Sequence, residues 1–395
     1  MKTFAPIQQE FQVGYRYPVH FTTEVFRPGN PRFAEAIRAD GGHFPRKVLF
    51  VVDRGAYRHN PQLLKQIEAY CRGHHEYLAP AGAPLIFEGG EGVKNDPLYV
   101  TIVRQAIQAA GLCRHSYVAA VGGGALIDMA GYAAATAHRG LRLIRVPTTV
   151  LAQADAAIGV KNSINAFGKK NFLGTFAPPA AVLNDFAFLP TLSRRDWIGG
   201  VAEAVKVALI KDASFFDFLE EHALALAHRH QEIMQQVVYR SAALHLEHIA
   251  TGGDPFEFGS SRPLDFGHWS AHRLEPLSGY ELGHGQAVAL GMALDATYAR
   301  LAGLLPKTEW QRVLGTLTTL GFALYVPELE EESLLAGLEE FREHLGGRLT
   351  IMLIWDIGQS LEVHDLDANL LRAAIDLLRK RACATAKEIR PAALG

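Results

Sequence analysis

Three histidines crowd one short part of this chain. Leu264-Asp265-Phe266-Gly267-His268-Trp269-Ser270-Ala271-His272 is followed by Glu281-Leu282-Gly283-His284-Gly285. His268 and His272 stand four apart, so on a helix they project from one face. His284 arrives on a separate glycine-flanked turn. Neutral imidazole is the commonest metal ligand, and two histidines with one carboxylate make an open catalytic zinc site. The chain has 17 histidines, so three unrelated polar residues are the plain alternative. A carboxylate donor has to come from elsewhere.

Gly199-Gly200-Val201-Ala202-Glu203-Ala204-Val205-Lys206 offers that acid. Glu203 and Lys206 are three apart and share a helix face. Glu203 has apolar neighbours, where a carboxylate is costly without a partner, and a cation would satisfy it. The competing reading is an exposed ion pair worth a few tenths of a kcal/mol. His222, His228, His230, His245 and His248 fall on the charged face of a long helical stretch and read as solvated surface.

A second group of residues has the look of a nucleotide site. Val121-Gly122-Gly123-Gly124-Ala125-Leu126-Ile127-Asp128 follows a strand and opens a helix. Glycines there let the backbone approach a pyrophosphate at a helix N-terminus. The pattern is not a full G-x-G-x-x-G, because Ile127 holds the third glycine position. Asp53 ends an earlier strand, where an acid can hold an adenosine ribose. Glu88-Gly89-Gly90-Glu91-Gly92-Val93-Lys94 is a second glycine-rich loop carrying a cation, and alone it reads as a surface turn. Arg145 to Asp155, Gly159-Val160-Lys161-Asn162 and Gly168-Lys169-Lys170-Asn171 then crowd hydroxyls, an acid, lysines and amides into what reads as loop. Polar loops presented by a rigid sheet commonly form substrate sites, and lysines serve phosphate as point charges.

The elements that must carry these residues change midway. Lys47–Asp53, Tyr117–Val121 and Leu143–Pro147 are buried strands by their continuous apolar runs. Pro97 to Leu112 is a helix, with Asp96 as N-cap and Pro97 at the first helical position. From Ser193 the pattern is helical: Arg194 to about Ile249, Gln286–Leu304, Glu331–Leu345 and Asp365–Ala382, with one strand-like run at Leu349–Ile354. The fold class is an α/β nucleotide-binding domain with a Rossmann-like parallel sheet, residues 1–188, plus a mostly α-helical metal-binding domain, residues 189–395.

A chain of 395 residues with 49% apolar content has room for two cores. A net charge of −2 supplies no field for nucleic acid or an anionic membrane. Cys71, Cys113 and Cys383 are odd in number, lack metal spacing and read as reduced. No signal core or membrane-length apolar run is evident, so a cytoplasmic protein is expected.

The run from Gly122 to Lys206, then Phe266-Gly267-His268 through His284-Gly285, resembles the sugar phosphate cyclases of the 3-dehydroquinate synthase type, over roughly residues 45–360. The resemblance implies that Glu203, His268 and His284 hold zinc or cobalt. It implies NAD contacts at Asp53, Glu91, Lys94, Gly123, Gly124, Asp128, Thr148 and Thr149. It assigns substrate and catalytic positions to Asp155, Lys161, Lys170, Asn171, Lys206 and His272. Arg139 matches an arginine lent to the phosphate site of a partner subunit, which implies a homodimer.

The departures bear on substrate. Where the dehydroquinate synthase pattern asks for Asn, Arg and Lys, this chain has Asp265, Ser261 and Glu247. Two acids facing a substrate carboxylate would repel it. His344 falls near a position where dehydroquinate synthase has Lys. Asp265 with His344 resembles the branch that cyclises sedoheptulose 7-phosphate, typified by 2-epi-5-epi-valiolone synthase, although His272 is the dehydroquinate synthase residue. Arg262 is the candidate to replace the arginine missing at Ser261. The expected activity is loss of phosphate and ring closure to a C7 cyclitol, with NAD used but not consumed. Dehydroquinate synthesis and a metal-dependent polyol dehydrogenase are the alternatives.

Overall fold

The structure is a computed structural model that describes residues 5–252, 256, 263–279, 281–330, 332, 334, 337–338 and 349–389. Among these, nine strands precede Phe186. They are β1 (Val19–Thr22), β2 (Arg46–Asp53), β3 (Leu78–Pro80), β4 (Leu85–Phe87), β5 (Tyr117–Gly122), β6 (Arg142–Pro147), β7 (Lys161–Ala166), β8 (Lys169–Phe176) and β9 (Ala181–Asp185). Seven form one parallel sheet in the order β1-β9-β6-β5-β2-β3, with β4 also on β2. The helices of this half are α1 (Arg32–Arg38), α2 (Arg54–His59), α3 (Leu63–Gly73), α4 (Gly92–Asn95), α5 (Pro97–Ala109) and α6 (Gly124–Ala135).

The apolar runs are continuous because helices cover both faces of the sheet. Val48, Phe50 and Val52 of β2 pack against Phe33, Ile37, Leu63 and Ile67 on one side. Leu49 and Val51 meet Val103, Ile107, Leu126 and Met129 on the other. Asp96 accepts the Leu98 N–H at 2.8 Å and starts α5 where the sequence placed it. The chain runs outward from β2 to β3, then lays β5, β6 and β9 on the opposite side of β2. Strand order therefore reverses between β2 and β5, the place where open α/β sheets leave a crevice at their carboxyl ends.

Residues 161–176 correct the sequence reading. They form an antiparallel hairpin, β7 with β8, rather than loop. Its polar, half-exposed strands lack the apolar alternation that marks a strand. Fully buried Arg145 anchors the path into it, donating to the carbonyls of Ala157, Gly159 and Lys161 and to Asn162 Oδ1 at 2.5–3.0 Å.

The remaining helices are α7 (Arg194–Lys211), α8 (Ala213–Glu221), α9 (Ala223–Ala227), α10 (Gln231–Thr251), α11 (His268–Leu277), α12 (His284–Leu301), α13 (Lys307–Leu320) and α14 (Ala368–Ile389). A small antiparallel pair, β10 (Ile351–Asp356) and β11 (Gln359–Val363), packs with them. The stretch from Arg194 to Ile249 is thus four helices rather than one. Asp212 ends α7 in extended backbone, and its carboxylate accepts the Phe215 N–H at 3.0 Å to start α8. The expected helix at 331–345 lies largely outside the described residues. No described helix is long and apolar enough to cross a membrane.

Glycines set how closely the helices approach. A methyl at Gly285 of α12 would collide with the Gly199 carbonyl of α7, and one at Gly291 with the Gly267 carbonyl. Gly285→Ala is expected to lower unfolding stability by about 1–3 kcal/mol through overpacking. Gly315 in α13 has open space around its missing Cβ, so Gly315→Ala should stabilise by about 0.4–1 kcal/mol. Denaturant melts of both variants check this, and equal effects would contradict it.

Candidate metal and substrate site

Glu203 sits in the middle of α7, whose residues from Gly200 to Ile210 are all buried. Its carboxylate has 2% side-chain exposure and forms a close ion pair with Lys206. Neither oxygen accepts a well-formed hydrogen bond. Two imidazoles approach it instead, with His268 Nε2 and His284 Nε2 at 3.5 and 3.3 Å from Oε1.

Each ring is oriented from behind. His268 Nδ1 lies 3.1 Å from the Phe266 carbonyl, and His284 Nδ1 lies 2.6 Å from Glu275 Oε1. A carbonyl or carboxylate only accepts, so Nδ1 carries the proton and donates in both. That leaves each Nε2 as the nitrogen free to ligate, and both Nε2 atoms face Glu203. The three donor atoms lie within 4.8 Å of one another. Ligands about 2.1 Å from a tetrahedral zinc stand about 3.4 Å apart, close to the two distances found. The residues fit a divalent cation.

Without an ion, protons and Lys206 supply the balancing charge. Burial opposes ionisation of Glu203, yet Lys206 and His268 outweigh it and hold the carboxyl well below its usual range. Burial likewise opposes the His284 imidazolium, but the adjoining carboxylates of Glu203 and Glu275 push its pKa up to about 9. Glu275 is held down to about 2 against burial by His284 and Lys170.

Gly267, at φ 75°, makes the turn that starts α11 at His268. Its N–H donates to Asp295 Oδ2 at 3.0 Å, while Trp269 Nε1 donates to Oδ1 at 2.8 Å. Asp295 of α12 thereby holds the backbone before His268 and the indole after it. Burial pushes its pKa up to about 7 despite these two donors.

The other expected residues fall into two groups. Lys206 is near the charges of Asp155 and Asp265, and these with Glu203 raise its pKa against burial. His272 presents its ring to the same cluster, with centroids 5.5 Å from His268 and 6.3 Å from His284. Lys170 pairs closely with Glu275. At the carboxyl ends of the strands, Asp53 Oδ1 accepts the Gly55 N–H at 2.7 Å, and Gly123 caps α6 beside Thr149. Gly124 opens α6, and the Thr148 N–H bonds to Gly122. Lys94 is buried against Asp128 at 2.7 Å and close to Asn171, and Glu91 accepts from Asn165 at 2.8 Å. Asn171 thus joins the Lys94 and Asp128 group while its neighbour Lys170 faces the histidines, as alternation along a strand requires.

Several expectations need correcting or relocating. His245 is not solvated surface: its Nδ1 lies 2.7 Å from Asp155 Oδ1 with 13% side-chain exposure. Glu247 does not face the histidine cluster. It is exposed, and its charge bears on Lys211. Residues two apart on a helix diverge by about 200°, so His245 and Glu247 cannot both point inward. Arg139 is exposed in the turn beyond the far end of α6. The 12 residues of that helix set it about 18 Å from Gly123. Lys161 is exposed at the start of β7. Arg262, Ser261 and His344 lie outside the described residues. Glu275, Asp295 and Arg145 were missed, although Glu275 stands three after His272, a helical spacing that could have found it.

The family description "3-dehydroquinate synthase N-terminal" matches residues 84–199, and "3-dehydroquinate synthase C-terminal" matches residues 200–341. The chain belongs to the 3-dehydroquinate synthase family. It is a sugar phosphate cyclase of that family. A 2-epi-5-epi-valiolone synthase from Streptomyces glaucescens is 34% identical over 93% of this chain and 92% of that protein. A 3-dehydroquinate synthase from Geobacter sp. (strain M21) is 38% identical over 62% of this chain and 67% of its own. Among solved structures, a 2-epi-5-epi-valiolone synthase from Streptomyces hygroscopicus subsp. jinggangensis, with NAD+ and Zn2+ bound, superposes with TM-score 0.85 at 31% identity, covering 95% of this chain and all of that one.

The Glu275 carboxylate orients one candidate ligand of this cyclase from behind. Glu275→Gln is expected to weaken zinc binding about 10–100-fold while the protein stays folded. Competition with a chelating dye measures this, and unchanged affinity would contradict the arrangement.

Proposed function

We propose that this cyclase is an NAD- and zinc-dependent lyase that converts sedoheptulose 7-phosphate to a C7 cyclitol, 2-epi-5-epi-valiolone or an epimer, with loss of phosphate. Cobalt is the alternative metal. The observation that carries the substrate choice is Asp265, half-buried beside Lys206 at the edge of the histidine cluster. A substrate carboxylate brought there meets an acid, and like charges in a closed site cost several kcal/mol. Glu247 faces outward and adds nothing to this argument. Similarity to a 2-epi-5-epi-valiolone synthase along nearly the whole chain supports the same reading.

In this proposal Glu203, His268 and His284 are the zinc ligands, with a fourth position open to substrate. Bound zinc would supply a Lewis acid for the oxygen on the carbon being oxidised, and bound NAD would supply a reversible hydride acceptor. Asp53, Gly123, Gly124, Thr148 and Thr149 hold the cofactor at the crevice between β2 and β5, with Glu91, Lys94 and Asp128 behind it. Lys206 stays charged between Glu203 and Asp155 and donates to a substrate hydroxyl next to the metal. Asp155, held ionised by His245 against burial, accepts from a second hydroxyl. His272 and Lys170 face the same space, where the Lys170 ammonium serves the phosphate, while Asn171 stands on the Lys94 side of the hairpin and Lys161 at its exposed start. Arg262 and His344, outside the described residues, are the further substrate-binding candidates that the family resemblance names.

Arg139 is exposed beyond the end of α6, and by family resemblance it serves the phosphate of a partner in a homodimer. With a division at 188/189, the cofactor belongs to the first domain and the metal to the second. Oxidation, loss of phosphate, return of hydride and intramolecular carbon–carbon closure leave no net redox change. The ends of one chain meet without a bimolecular encounter.

A dehydrogenase fold is also in view. An NADH-dependent butanol dehydrogenase from Thermotoga maritima superposes with TM-score 0.63 at 14% identity, a likeness of fold alone. The two chemistries differ in one observable. With sedoheptulose 7-phosphate, phosphate should appear while the NADH absorbance stays level, and the seven-carbon keto acid phosphate should release little. NADH growing in step with product, or a preference for the keto acid, would contradict the proposal.

A further inference from the structure

We infer that His245 is a positioning residue that fixes the Asp155 carboxylate in the cleft, an inference that rests on the cyclase reading above. Asp155 lies on a single π-helical turn, Ala152–Ala156. Such turns interrupt regular helix and recur at functional sites. The backbone just beyond this turn is held by the buried Arg145 guanidinium. Among the described residues, the close contact to the Asp155 side chain comes from α10.

That anchor is one imidazole. His245 Nδ1 lies 2.7 Å from Asp155 Oδ1, with side-chain exposures of 13% and 27%. The pair is a close ion contact rather than a well-formed hydrogen bond; a carboxylate only accepts, so any proton shared between them comes from Nδ1, with His245 as donor. Gly159 faces the other end of the ring, where a methyl would stand 3.3 Å from Nε2, so the glycine leaves room for the imidazole. His245 is not among the three candidate metal ligands.

The charges around Asp155 explain why an anchor is needed. Lys206 attracts the carboxylate and Glu203 repels it. Lys206 is already paired with Glu203. Without His245, the strongest remaining pull on Asp155 is the ammonium that Glu203 uses. The acid would then move toward Lys206 and away from a substrate hydroxyl. His245 keeps two acids from competing for one lysine.

The test is a double-mutant cycle on the full-length, zinc- and NAD-loaded protein. Phosphate release is followed with whichever of sedoheptulose 7-phosphate and the keto acid phosphate the wild type consumes. A wild type that consumes only the keto acid overturns the substrate proposal yet leaves this cycle readable. His245→Leu should lower kcat by up to about 100-fold with bound zinc and melting temperature unchanged. His245→Asn keeps an N–H donor near the Nδ1 position and should recover most of the loss. In an Asp155→Asn background His245→Leu should cost nothing further, because a residue acting only through Asp155 has no other route. Glu247→Ala, two residues away and outward, should match the wild type. Full activity of His245→Leu, failure of Asn to rescue, or additive losses in the cycle would overturn the inference.

Discussion

A carboxylate buried in the centre of an apolar helix is the constraint that organises the helical half. Glu203 has one lysine and two imidazoles around it and almost no water. An uncompensated ion in such a place costs several kcal/mol, so something positive must sit there in every folded state. The two histidines present their free nitrogens at the spacing a tetrahedral cation requires. The second layer, Glu275 and Asp295, does nothing for packing that an apolar residue could not do. It orients His284 directly and His268 through the backbone.

The fold brings the parts of this site together from distant sequence by close backbone approach. Gly199 and Gly285 let α7 and α12 touch, which sets His284 against Glu203. Gly267 turns α11 so that its first residue is a candidate ligand. In the sheet half, the reversal of strand order between β2 and β5 leaves the crevice where Asp53 and the Gly122–Gly124 turn meet. Arg145 then steers the chain from β6 through Asp155 into the β7–β8 hairpin. That hairpin delivers Lys170 to the metal side and Asn171 to the Lys94 side.

Much of this was legible in the sequence. The buried strands showed as unbroken apolar runs, and the candidate ligands showed as residue types in unusual company. What was not legible depended on which face of an element looks inward. Glu247 and His245 share a helix and differ by two positions, and no local pattern in a helix with weak apolar periodicity says which one meets Asp155. The hairpin was hidden because its strands are half-exposed and polar. The breaks after α7 were hidden because Asp212 looks like any surface acid until its carboxylate caps α8. Asp295 was invisible because its partners, a backbone N–H and an indole, lie 28 and 26 residues away.

The claim that Glu203 is there for a cation has a direct thermodynamic test. A ligand that binds only the folded state stabilises it by about 2.7 kcal/mol at a free concentration of 100 times Kd. Metal-stripped wild type and Glu203→Gln should therefore be melted across a zinc series. The account predicts a melting temperature that climbs with zinc for the wild type and stays flat for Glu203→Gln. The same zinc-dependent rise in both proteins would show that the cation binds elsewhere, and the account of the site would fall.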